Sequence, residues 1–147
     1  MASLSKVCFF FERSNFSLGS RRRLKSFIES IFKREGKELG VLNFIFCSDN
    51  KLLAINRQFL HHNFYTDIIT FDLSESEQIQ AEVYISIDRV RENAKNMGVS
   101  FKSEIHRVIF HGVLHLCGYK DKTKEEKKKM SNKEYLFLNQ YIMQRST

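Results

Sequence analysis

Residues Phe101–Cys117 constrain this chain more than any other stretch. Val108, Ile109, Phe110, Val113, Leu114, Leu116 and Cys117 fall on nearly every face of a helix rather than on one stripe. A helix that is apolar almost all round is buried, so the remaining elements must be arranged around it. No stretch approaches the roughly 20 apolar residues that cross a bilayer, so the helix belongs to the core of a soluble domain. Gly118 supplies its stop. A chain of 147 residues is long enough for one such core. With 42% apolar residues, 14 Phe, no proline and no linker-like run, residues 1–147 read as one compact domain.

The flanking periodicities supply the partners. Lys6–Glu12 has strand character. Ser20 caps a helix to about Glu35, with Leu24, Phe27, Ile28 and Ile31 at helical spacing and Gly36 as stop. Val41–Cys47 alternates as a strand, apolar on both faces and so expected to be covered on both. Asn50–Leu60 reads as a helix. Asp67–Leu73 and Glu82–Ile87 read as strands joined by a short polar connection, hence as antiparallel neighbours. Asp88–Met97 is a short helix stopped by Gly98. Thr123 and Glu126 form a capping box for a last helix lined by Met130, Phe137, Leu138 and Tyr141. The predicted fold class is mixed α/β (α+β): a small mixed sheet of about four strands packed with about five helices.

The N-terminus, MASLSKVCFFFERS, lacks the long apolar run of a signal peptide, which makes the cytoplasm the expected location. Cys8, Cys47 and Cys117 form no C-x-x-C pair and read as small core residues in a reducing compartment. The net charge of +7 is concentrated toward the two ends and suits a polyanionic partner such as RNA.

Within the buried helix, His111 and His115 stand four apart and share one face, where both rings can reach one ion. After the turn at Gly118, Asp121 can swing back with a carboxylate. The pattern H-x-x-x-H-x-x-G-x-x-D resembles the ligand spacing of the metzincin peptidases, whose third ligand is usually histidine. This predicts a zincin-like metal helix holding one Zn²⁺ through His111, His115 and Asp121, with a fourth position open for water. Two alternatives stand beside it. The histidines could be core residues bonded to backbone, although burying two unpaired imidazoles is costly. Asp121, between Lys120 and Lys122, could be an ordinary loop carboxylate. Cys117 lies off the histidine face. Zincin peptidases place their general base directly after the first histidine; here that residue is Gly112, which excludes that chemistry.

His111–Asp121, HGVLHLCGYKD, resembles the H-G-x-L-H-L-x-G-Y-D-H signature of the YbeY-type endoribonucleases, the rRNA maturation factors. Ile55-Asn56, Thr66–Phe71 and Glu82–Ser86 resemble further segments of that family. The resemblance implies a zinc-dependent, single-strand-specific endoribonuclease of 16S rRNA 3′-end maturation and ribosome quality control. It would be a cytoplasmic hydrolase whose partners are single-stranded RNA, rRNA and the ribosomal subunit or its proteins. The family's three metal histidines fall on His111, His115 and the position of Asp121, so the third ligand departs from the pattern. Leu60 stands where the family usually carries an arginine, for which His61, His62 or Arg57 could substitute, and Tyr65 stands where it carries proline. Asp67 and Glu82 are the motif carboxylates open to a proton-accepting role. Arg107, one turn before His111, could meet a phosphate or form a salt bridge. The runs Arg21–Arg23 and Lys127–Lys129 could steer RNA or simply be solvated. Two rival functions remain: a non-enzymatic ribosome-associated RNA-binding factor with a structural zinc, and a metal-dependent hydrolase of another small substrate.

Overall fold

The computed structural model describes residues 6–143; residues 1–5 of the N-terminal segment discussed above lie outside it. In chain order the elements are β1 (Val7–Phe11), α1 (Arg21–Arg34), β2 (Glu38–Cys47), α2 (Asp49–Leu60) and β3 (Ile68–Asp72). β4 (Gln78–Ser86), α3 (Ile87–Met97), α4 (Phe101–Leu116) and α5 (Lys124–Met143) follow. The sheet order is β1-β2-β4-β3. β1, β2 and β4 run parallel, and β3 is antiparallel to β4, as the short connection predicts.

Side-chain caps set the helix starts. Ser20, Ser48, Ser86 and Ser100 each accept the backbone N–H three residues on, satisfying a donor that has no partner inside the helix. The Thr123–Glu126 capping box forms reciprocally, at 2.9 and 3.1 Å. Two strands start earlier than the sequence suggests. β2 begins at Glu38 because the pairing slips between Leu39 and Val41, and Gly40 lets the Gln78 and Gln80 side chains of β4 approach. A Cβ at Gly40 would lie 2.6 Å from the Gln80 side-chain amide.

The main core lies between one sheet face and α1, α3, α4 and α5. Leu42, Phe44, Phe46, Val83 and Ile85 meet α4 and its neighbours there. A smaller core under α2, on the opposite face, joins Cys47, Leu52, Ile55 and Ile69. Coverage of that second face is incomplete, contrary to the expectation for β2: Val41 is exposed. Cys8 is only half-buried, a correction to its reading as a core residue, because it lies on the edge strand β1 beside the exposed Phe10. Cys47 and Cys117 are buried, and burial pushes both thiols up to about 12. Among the described residues, no helix is long and apolar enough to cross a membrane.

Candidate metal centre

α4 ends in a Schellman turn. Gly118 N–H reaches His115 O and Tyr119 N–H reaches Leu114 O, each at 3.0 Å, with Gly118 at φ +104°. That reversal returns the chain toward the helix it has just left. Asp121 Oδ2 then stands 3.2 Å from His115 Nε2 and 3.3 Å from His111 Nε2. The three donor atoms lie within 4.8 Å of one another, and the described residues hold no second such group. Two imidazole nitrogens and one carboxylate oxygen converging on one point fit a divalent transition metal.

His111 is aimed by a residue the sequence reading did not single out. Its Nδ1–H donates to Glu134 Oε2 on α5 at 2.5 Å, which leaves the Nε2 lone pair facing the site. Glu134 is 3% exposed and Glu104 is 1% exposed. Arg107 bridges them, forking onto both oxygens of Glu104 at 2.8 and 2.7 Å and reaching Glu134 at 2.6 Å. Arg107 is therefore in a salt bridge rather than free for phosphate. Its hydrogen bonds to Glu104 hold its pKa above the already high arginine value, against the opposing effect of burial. A signal for Glu134 was present in the sequence: it falls on the same helical stripe as Met130, Phe137, Leu138 and Tyr141, where a carboxylate demands a partner.

The metal cluster opens into a cleft of about 490 Å³, which Leu60, His62, Phe64, Thr66 and Asp67 also line. Burial raises the Asp67 carboxyl above its ordinary range, while Arg107 and His111 pull the other way. Glu82 does not enter this cleft. Strand alternation points Val83 toward α4, so Glu82 faces the opposite side of the sheet and borders a hollow with Phe59, Leu73 and Tyr84. Of the substitutes for arginine at Leu60, only His62 lines the cleft. Arg57 is bound to Asn63 at 2.5 Å, and His61 ends α2 in the left-handed conformation. Arg21 lies over Phe11 and Arg23 over Tyr141, so that run is partly structural.

Gly112 faces the sheet. A Cβ there would stand 3.0 Å from Ile68 Cδ1 and 3.3 Å from Val83 Cγ1. The position that carries the base in zincin peptidases is therefore packed shut here. Gly112→Glu should lose about 1–3 kcal/mol through overpacking alone, read as a lower urea midpoint. An unchanged midpoint would show that the helix can lift off the sheet at no cost.

The chain is similar to known proteins over most of its length. The Endoribonuclease YbeY family model matches residues 11–142. A Cytophaga hutchinsonii protein named Endoribonuclease YbeY is 48% identical over 87% of this chain and 90% of its own length. One from Flavobacterium psychrophilum, of the same name, is 45% identical over 82% and 86%. A solution structure of a Thermotoga maritima protein superposes with a TM-score of 0.68 at 28% identity, covering 95% of this chain and 91% of that one.

Proposed function

We propose, since this chain belongs to the Endoribonuclease YbeY family, that it is a zinc-dependent, single-strand-specific endoribonuclease, with residues 1–147 working as one domain. The convergence of His111, His115 and Asp121 at the mouth of the cleft carries this reading. Its substrate is rRNA, at 16S 3′-end maturation and in ribosome quality control, and the ribosomal subunit is its partner. The free thiols are compatible with a reducing compartment such as the cytoplasm.

A zinc ion held by these three residues would supply Lewis acidity at a phosphoryl oxygen and would ease deprotonation of water. The chain's own residues divide the remaining work. Glu134 keeps His111 in the tautomer that offers Nε2. Asp67 is the proton acceptor we assign, because it lies in the cleft and its raised pKa makes it a better base than an exposed carboxylate. His62, on the cleft wall, can donate a ring N–H to a phosphate oxygen.

The rival reading, a structural zinc in a binding factor, is disfavoured by where the ligands sit. α4 is enclosed by the main core whatever happens at its end, and all three ligand side chains are partly open to solvent. Chelation is therefore expected to leave the far-ultraviolet circular dichroism intact while abolishing cleavage of single-stranded RNA, and added zinc should restore it. Cleavage at full rate without metal would overturn the enzyme reading. Unfolding on chelation would favour the structural one.

A further inference from the structure

The loop from α2 to β3 borders the metal cleft and is held by main-chain and side-chain tethers. His62 N–H donates to Asn56 O at 3.1 Å, and the buried Asn56 returns a side-chain N–H to Phe64 O at 3.0 Å. Arg57 holds Asn63. The loop so fixed carries two stacked rings: His62 and Phe64 have centroids 5.0 Å apart and an interplanar angle of 21°. Both line the cleft that holds His111, His115 and Asp121, yet Phe64 remains 56% exposed.

Other exposed rings nearby are placed differently. Phe59 packs edge-on to Phe71 over the hollow on the other sheet face. Tyr65 has the Arg89 guanidinium 5.0 Å from its ring and does not line the cleft. Among the described residues, Phe64 and His62 share ring support, exposure and a place beside the candidate metal centre, and Phe64 offers the larger and less polar face.

We propose that Phe64, backed by His62, is a stacking platform for an unpaired nucleobase adjoining the phosphate at the metal centre. This rests on the endoribonuclease reading above and adds how the substrate class is chosen. Every base offers a π-face, so the platform tolerates sequence; a base inside a duplex already has both faces covered, so the platform selects single strands. Leu60, on the same wall, adds an apolar contact without a charge.

The test uses the full-length, zinc-loaded protein and short single-stranded RNAs carrying 2-aminopurine at successive positions, followed by stopped-flow fluorescence before cleavage. Wild type should quench the probe at one position. Phe64→Ala and Phe64→Leu should lose that quench and raise KM on the order of tenfold, with kcat little changed; Phe64→Tyr should restore both. Leucine keeps the apolar bulk, so it separates stacking from simple burial. A Phe64→Ala protein that quenches like wild type overturns the platform, whether or not its KM changes. If wild type itself neither binds nor cleaves the RNA, the endoribonuclease reading falls and the platform with it. If wild type cleaves and the variants match it in quench and KM, only the platform falls.

Discussion

Arg107→Ala is expected to lower the unfolding free energy by about 3–5 kcal/mol, the range for removing one partner of a buried ion pair. The size follows from what is left behind. Glu104 and Glu134 are almost completely buried, and Arg107 is the cation that bridges them. Without it, Glu104 loses both of its Arg107 hydrogen bonds and Glu134 keeps only the one from His111, in a medium that solvates neither carboxylate. Arg107→Lys should recover only part of the loss, because an ammonium cannot fork onto both oxygens of Glu104 while also reaching Glu134. Urea unfolding of the two variants measures both effects. A midpoint for Arg107→Ala equal to wild type would show that the network adds no stability.

Glu134→Gln is expected to weaken binding of the proposed zinc by about 10–100-fold while leaving the fold in place. Glutamine is nearly isosteric, and its carbonyl can still accept from Arg107 or from His111. It cannot accept from both with the strength of a carboxylate, so His111 loses the partner that fixes its Nδ1–H and orients its ring. Competition against a chromophoric chelator gives the affinity, and circular dichroism checks the fold. Wild-type affinity in Glu134→Gln would mean that His111 is held by helix packing alone. The two variants separate stability from metal binding: the first removes the cation that holds Glu134, and the second alters Glu134 while keeping the cation.

The helices were legible because their ends are marked locally. The Ser20 cap, the Thr123–Glu126 box and the glycines at 36, 98 and 118 act within one turn, so a linear reading finds them. The parallel pairing of β1, β2 and β4 was not legible, since it joins segments brought together only by the helices between them. The first part of β4, Gln78-Ile79-Gln80, was missed because its outward residues are polar and resemble a loop. The convergence of His111, His115 and Asp121 was legible for the same reason as the caps: they lie within two turns and a reversal. Glu134 and the loop tether at Asn56 depend on contacts between separate elements. The role of Glu82 stayed open in the sequence because its motif says nothing about which side of the strand it takes; the register of β4 against α4 decides that.

The Schellman turn after α4 has one more consequence. It is closed by main-chain hydrogen bonds and a glycine, none of which involves the side chain at 121. The backbone therefore delivers whatever donor stands there to the same pair of imidazoles. The hardness and charge of the third donor become a variable separable from the architecture. With aspartate in that socket the three candidate donors bring one formal negative charge, a set that favours harder divalent ions than an all-imidazole set would.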